Sequence, residues 1–182
     1  MVDSYELKFT RLQNRIFRLL CVKVGGVVNQ RAIAEILGVS ATAVAKSLPL
    51  LEEEGLIRVE KDSRMNLMLI ELDRNNRMSV DMKRVENLKM VYESGLVGFL
   101  GDKFPGSVIV LFGSYAFGED IVGSDVDVAV VGCKEKVVDL KKYDKFFERE
   151  VRLNFYDSFG EINKNLRSNI FNGIVLAGRV GL

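Results

Sequence analysis

The sequence is poor in several residue types that many active sites need. It contains no histidine and no tryptophan, and only two cysteines and two prolines among 182 residues. The lack of histidine removes the commonest metal ligand and the usual general base, which excludes histidine-bound zinc and Ser–His catalysis. Cys21 and Cys133 lie inside apolar stretches. We therefore expect buried, reduced thiols in a cytoplasmic protein rather than a disulfide.

Long apolar runs and a strong net charge are also missing. The longest apolar stretches, such as SVIVLF and VDVAVV, suit buried strands and are far shorter than the ~20 residues that span a bilayer. No N-terminal segment has the pattern of a signal peptide, and we expect no association with a membrane. The net charge of +1 gives no general attraction to nucleic acid, so any such binding must depend on local charge.

The first 73 residues predict three helices followed by a hairpin. The predicted elements are the helices Tyr5–Val24, Gln30–Leu37 and Ser40–Glu53, and strands near Leu56–Glu60 and Asn66–Leu72. Asn29 and Ser40 are suited to cap the second and third helices. Pro49 should kink the third helix or end it early, because proline cannot donate the helical hydrogen bond.

The segment NQRAIAEILGVSATAVAKSLPLLEEEGLIRVEK closely resembles the winged-helix domains of prokaryotic transcription regulators, over about residues 10–73. Such domains place the start of the second helix of their turn motif, and the wing, against DNA. The DNA-binding candidates are therefore Ser40, Thr42, Lys46, Lys61 and Arg64. Ordinary caps and solvated surface charge are the alternative interpretation of these residues. Winged helices also serve in dimerisation and protein docking, so a protein partner stays open.

Beyond this segment the pattern changes to alternating strands and helices, which is typical of an α/β layer. A polar stretch, Asp73–Ser79, is typical of a linker, and we predict two domains, residues 1–78 and 79–182. The predicted elements are helices near Val80–Leu100, Glu135–Glu148 and Phe159–Ile170, and strands Ser107–Phe112, Asp125–Val131 and Val151–Tyr156.

A candidate site lies between the first two of these strands. Gly113 ends the strand VIVLF, and its missing Cβ allows close approach of a ligand, while Ser114 offers a hydroxyl and an amide to phosphate. Asp125 and Asp127 open the next strand, where residues i and i+2 share a face. Two neighbouring carboxylates repel unless a cation lies between them, and magnesium is the natural partner. Ser124, beside Asp125, is a further nucleotide-binding candidate.

In this segment a Gly-Ser pair is followed by ten residues and then by Asp-x-Asp. This motif closely resembles that of the nucleotidyltransferases related to DNA polymerase beta, in the small prokaryotic branch called minimal nucleotidyltransferases. The resemblance covers about residues 85–182 and implies a mixed sheet flanked by helices. It also implies that Gly113 and Ser114 hold a nucleoside triphosphate, with ATP expected. Asp125 and Asp127 would be catalytic metal ligands for transfer of a nucleoside monophosphate, with pyrophosphate leaving.

The sequence departs from this family at two positions. Arg152 stands where relatives have a third carboxylate, in the stretch Val-Arg-Leu-Asn, and Phe117 stands where many have arginine. Glu150 shares a strand face with Arg152 and is the further candidate for a metal ligand. The site is therefore predicted more firmly as a binding site than as a catalyst.

Three functional hypotheses follow from these patterns. The first is a magnesium-dependent nucleotidyltransferase whose winged helix binds DNA or positions an acceptor. The second is a DNA-binding regulator whose transferase domain binds nucleotide with weak or no catalysis. The third is an antitoxin-like protein that binds a helical protein partner, as small transferases of this kind often do.

Overall fold

The chain forms two compact units, Met1–Lys83 and Arg84–Leu182. The computed structural model describes residues 7–63 and 67–180. The division falls inside helix α4 (Arg77–Glu93), close to the boundary predicted after residue 78. That boundary stays a prediction, and each unit is described by itself.

The N-terminal unit combines three helices with a small antiparallel sheet. In chain order its elements are α1 (Arg11–Val22), β1 (Val28–Asn29), α2 (Gln30–Leu37), α3 (Ala41–Glu53), β2 (Ile57–Asp62) and β3 (Leu67–Leu72). The strand order is β1-β3-β2, and β2 pairs with β3 over its whole length. Helices followed by a hairpin that pairs with a short earlier strand make a winged helix, which confirms the predicted fold.

Local capping decides where these helices begin. Thr10 and Gln13 form a reciprocal capping box at α1. Asn29 and Ser40 each accept a hydrogen bond from the amide three residues later, at 2.9 and 3.1 Å, as the sequence predicted. Gly38, with φ of +64°, makes the left-handed turn between α2 and α3, a conformation that glycine adopts without steric cost.

The predicted start of the first helix is wrong, and one of the two effects predicted for Pro49, an early end of α3, is not seen. The first helix was expected over Tyr5–Val24, but α1 begins only after the cap at Thr10, and residues 5 and 6 lie outside the described residues. Pro49 does not end α3 early, since the helix continues to Glu53. Because proline has no amide hydrogen, Pro49 leaves the carbonyl of Ala45 without its usual helical donor. Both residues lie on the exposed face of α3, where water can replace that donor.

The apolar faces of these elements meet in one core. It contains, among others, Ile16, Leu20, Ile33, Val44, Leu51, Leu56 and Ile70. Because helical residues three and four positions apart share a face, Val44, Leu48 and Leu51 of α3 are buried together while Thr42 and Lys46 face solvent.

The C-terminal unit is built on a four-stranded mixed sheet. After α4 its elements are α5 (Leu96–Lys103), β4 (Val108–Phe112), α6 (Gly113–Phe117), β5 (Val126–Val131), α7 (Lys141–Phe147), β6 (Val151–Tyr156), a 3₁₀ turn (Phe159–Glu161), α8 (Lys164–Phe171) and β7 (Ile174–Ala177). The strand order is β6-β5-β4-β7. The β5–β6 pair is parallel and the other pairs are antiparallel, which confirms the predicted mixed sheet.

Both faces of this sheet are apolar over most of their length. One face packs around Val110, Phe112, Ala129, Val131, Ile162 and Ile170, so that residues of β4 and β5 meet α8 and the segment before it. The alternate residues of the same strands, including Leu111, Val128 and Val130, are also completely buried. Burial on both sides explains why these strands form continuous apolar runs in the sequence.

Several predicted boundaries in this unit need correction. Asp73–Ser79 is not a free linker, because α4 begins within it and the side chain of Asn76 accepts a hydrogen bond from the second amide of the helix. The helix predicted over Val80–Leu100 is two helices, separated at Gly95 with φ of +75°. The helix predicted from Glu135 starts only at Lys141.

Two further differences lie near the C-terminus. The helix predicted over Phe159–Ile170 is a 3₁₀ turn followed by α8, which starts at its own cap, Asn163. Strand β7 was not predicted, because four residues after a glycine carry little periodic signal; it is recognised as a strand only by pairing with β4.

A buried ion pair connects the loop after α6 to the residues that precede β6. Arg149 Nη2 lies 2.8 Å from Asp120 Oδ2, and the two side chains are 2% and 0% exposed. Asn87 of α4 donates to the other Asp120 oxygen at 2.8 Å and to the backbone carbonyl of Tyr115 at 2.9 Å. The Arg149 guanidinium also lies 5.9 Å from the centre of the Tyr115 ring. This network ties α4, α6, the following loop and the start of β6 together.

Asp120→Ala should destabilise the protein by about 3–5 kcal/mol, because it leaves the Arg149 guanidinium buried without its carboxylate. Urea unfolding followed by circular dichroism measures the loss, and it suits a chain without tryptophan. Lys89→Ala is the control, since it removes an exposed ion pair on α4 that should contribute at most about 1 kcal/mol. Equal small losses for both variants would contradict the structural role of the buried pair.

Candidate functional site

The strand register brings the predicted site residues together at one end of the sheet. In the β4–β5 pair Phe112 lies opposite Asp127, and in the β5–β6 pair Asp127 lies opposite Arg152. Gly113 directly follows Phe112. Three neighbouring strands therefore place the Gly113-Ser114 turn, Asp127 and Arg152 side by side.

A side chain at position 113 would meet the Asp127 carboxylate. The φ of Gly113 is +74°, in the region that favours glycine. A Cβ added there would lie only 2.8 Å from Asp127 Oδ2. The sequence predicted that Gly113 allows a ligand to approach the backbone; in the structure the closest group is the carboxylate itself.

Asp125 lies just before β5, which begins one residue later than predicted. The amide of Val126 donates to the carbonyl of Glu150 at 2.8 Å, so hydrogen bonding between β5 and β6 begins directly after Asp125. Arg152 Nη1 lies 2.7 Å from Asp125 Oδ2. Arg152 Nη2 lies 3.1 Å from Glu150 Oε2. One guanidinium thus holds two carboxylates, and we refer to these contacts as the Arg152 bridge.

The charges in this group change each other's proton affinity. Burial raises the pKa of Asp127 above its usual value, the Asp125 carboxylate raises it further, and Arg152 partly opposes both effects. The hydrogen bond and the positive charge of Arg152 lower the pKa of Glu150. Hydrogen bonding to Glu150 and the negative charge of Asp125 raise the pKa of Arg152. Arg152 is therefore a permanent cation beside the two aspartates.

Tyr156 lies four residues after Arg152 on β6, in register with Val131, and the sequence analysis did not single it out. Burial raises the pKa of its hydroxyl, and the negative charge of Asp127 adds to the shift. The signal was present, because Arg152, Asn154 and Tyr156 alternate along β6 and so share a face of the strand.

The other predicted site residues have local structural roles as well. The Ser124 hydroxyl accepts a hydrogen bond from the Ile121 amide at 3.0 Å and so stabilises the loop before Asp125. Ser114 lies in the first turn of α6, and its carbonyl accepts from the amide of Glu119 at 2.9 Å. Phe117 ends α6, and the Arg84 guanidinium lies 5.6 Å from the centre of its ring. The binding roles of Ser114 and Ser124 stay predictions.

The donor set suits one divalent cation held together with phosphate, not a closed protein cage. Within residues 7–63 and 67–180, no group of three or more His, Cys, Asp or Glu side chains is arranged to hold a metal ion. Magnesium is commonly bound by one or two carboxylates that share it with substrate phosphates and water. Asp125 and Asp127 fit that pattern, and Arg152 forms ion pairs with both Asp125 and Glu150.

The predicted DNA-binding residues lie on the N-terminal unit, and the structure assigns them different surroundings. Thr42 and Lys46 lie four residues apart on the exposed face of α3. Ser40 caps the same helix, and Lys61 is exposed near the end of β2. Arg64 lies outside the described residues.

A Gly-Ser turn, an aspartate pair and a mixed sheet flanked by helices define the C-terminal unit as a nucleotidyltransferase domain. Residues 93–175 match the family described as "Nucleotidyltransferase domain". The chain thus carries a winged helix in its N-terminal part and this domain in its C-terminal part. A search of curated proteins found no significant match.

Solved structures similar to this chain include winged-helix regulators of the MarR family. ZitR of Lactococcus lactis, in a cysteine-to-serine mutant form, is 25% identical, with 57% of this chain and 67% of that chain covered and a TM-score of 0.43. The adhesin competence repressor AdcR of Streptococcus pyogenes is 20% identical, with coverage of 53% and 69% and a TM-score of 0.42. At these scores the winged-helix assignment depends on the helices and sheet described above.

No single helix within the described ranges has the length and apolar content needed to cross a membrane. The bent pair α2 and α3 meets the requirement only when the two helices are counted together.

Gly113→Ala should destabilise the protein more than Gly95→Ala, although both glycines have nearly the same φ, +74° and +75°. Gly95 has no atom within 4 Å of an added Cβ, so its substitution reports only the left-handed strain of roughly 1–2 kcal/mol. At Gly113 the Asp127 carboxylate must also move, which should add about 1–3 kcal/mol. Urea unfolding of the two variants measures the difference. Equal losses would show that the Gly113–Asp127 contact is unimportant.

Proposed function

We propose that the C-terminal domain binds a nucleoside triphosphate, with ATP as the expected nucleotide, and transfers its nucleoside monophosphate to an acceptor. The observation that carries this proposal is the register that places the Gly113-Ser114 turn beside Asp127 in a nucleotidyltransferase domain. The Gly-Ser turn would hold the triphosphate, and Ser124 is a further nucleotide-binding candidate. Asp125 and Asp127 would hold magnesium, and Glu150 is a further candidate ligand.

In the proposed reaction, an acceptor hydroxyl oxygen forms a bond to the α-phosphorus, and the bond between the α-phosphorus and the bridging oxygen breaks. Pyrophosphate leaves with that oxygen, and the acceptor proton goes to a base or to water. Bound magnesium would supply charge neutralisation and polarisation of the phosphoryl oxygens. The protein positions the nucleotide and, with histidine absent, contributes carboxylates as its candidate proton acceptors.

Asp125→Asn/Asp127→Asn should weaken the binding of ATP in the presence of magnesium by about tenfold or more, because the double variant removes both proposed metal ligands. Equilibrium dialysis with ATP labelled at the α-phosphorus measures the binding. Incubation of the same label with candidate acceptors measures transfer. Asp102→Asn, an exposed acid on α5, is the matched control. Label transfer that survives the double substitution would contradict this assignment of the site.

A second function is favoured by the winged helix itself, namely binding of double-stranded DNA by the N-terminal unit. Thr42 and Lys46 on the exposed face of α3, and Lys61 on the wing, support it. Ser40 and Arg64 are the further DNA-binding candidates from the sequence. In that case the protein is a cytoplasmic regulator whose transferase domain binds nucleotide with weak or no catalysis. The alternative to DNA binding is that the protein binds a helical protein partner, as an antitoxin does.

Lys46→Gln should lower the affinity for duplex DNA and reduce the slope of log affinity against log salt by about one, because one phosphate contact is lost. Fluorescence anisotropy at several salt concentrations measures both quantities. Arg77→Gln is the control, since Arg77 is exposed and lies outside α3 and the wing. A slope near zero for the unaltered protein would exclude phosphate contacts and would favour the protein partner.

A further inference from the structure

The Arg152 bridge occupies Asp125, one of the two proposed metal ligands, and Glu150, the further candidate. Its two ion pairs, at 2.7 Å to Asp125 and 3.1 Å to Glu150, use separate nitrogens of one planar guanidinium. Arg152 is also fixed in register beside Asp127 by the β5–β6 pairing. The strands therefore set the backbone position from which the Arg152 side chain reaches both carboxylates.

A free divalent cation would have to compete with this guanidinium. At Asp125 it would either displace Arg152 from the carboxylate or lie within a few ångströms of another positive charge, and both are unfavourable. A triphosphate changes the balance, because guanidinium binds phosphate oxygens in the same forked geometry as carboxylate oxygens. Arg152 is 54% exposed, so its head group can move from Asp125 to an incoming phosphate.

We propose that Arg152 makes metal binding depend on nucleotide: it keeps divalent cations off Asp125 and Asp127 until a triphosphate takes up its guanidinium. This inference rests on the proposed function, since it concerns the same site. The two ligands then bind with positive coupling, and each raises the affinity for the other by the same factor. Arg152 is thus a positioning and specificity-determining residue that favours the metal–nucleotide complex over the free metal.

The test measures binding of Mn²⁺ alone, by electron paramagnetic resonance of the unbound ion, for the full chain and its variants. Arg152→Gln should raise the affinity for Mn²⁺ without nucleotide by about tenfold or more. Arg152→Lys keeps the positive charge but loses the planar fork that reaches both carboxylates, so its Mn²⁺ affinity should lie between those of the unaltered protein and Arg152→Gln. Lys89→Gln is the matched control, because Lys89 is 53% exposed and also forms ion pairs with acids of its own element. Its Mn²⁺ affinity should not change.

The same titration is repeated with an ATP analogue that carries a methylene group between the α- and β-phosphorus atoms and cannot be cleaved there. It should raise the Mn²⁺ affinity of the unaltered protein by about tenfold or more, and that of Arg152→Gln by much less. Equal Mn²⁺ affinity of the unaltered protein and Arg152→Gln without nucleotide would overturn the role of Arg152 and would not bear on the proposed function. Absence of Mn²⁺ binding in every protein, even with the analogue, would overturn the proposed function as well.

Discussion

The buried ion pair between Asp120 and Arg149 is the contact on which the geometry of the C-terminal site depends. Asp120 lies five residues before Asp125, and Arg149 lies directly before Glu150 and three residues before Arg152. Two opposite charges that are almost fully removed from water must stay together, because either alone would be costly. The pair therefore holds the loop that carries one aspartate against the strand that carries the arginine.

The charged groups of the candidate site have opposite effects on the protonation of Asp127. The Asp127 carboxylate is crowded by burial and by Asp125, which favours its protonated form, while Arg152 favours the charged form. Perturbed proton affinities of this kind are common at functional sites. The same arginine stands where the family resemblance predicts a third carboxylate.

Much of the fold was readable from local sequence signals. Helices α2 and α3 begin at the caps Asn29 and Ser40, and β6 has its predicted bounds, because capping and alternation act over a few residues. Predictions failed where contacts between residues remote in sequence determine the secondary structure. Strand β7 exists through its pairing with β4, and the loop before α7 has helix-forming residues that do not form a helix. For the candidate site, the Gly-Ser and Asp-x-Asp spacing identified four residues that the structure brings to one end of the sheet.

The sequence by itself determined the two folds, the candidate residues Gly113, Ser114, Asp125 and Asp127, and the presence of an arginine at position 152. Each depends on residue type, periodicity or spacing along the chain. Only the tertiary structure decided that Arg152 holds Asp125 and Glu150 at once, and that the Gly113 backbone lies against Asp127. These contacts depend on the register between strands that are remote in sequence, and on a buried ion pair between residues 29 positions apart. Local propensity carries no information about either.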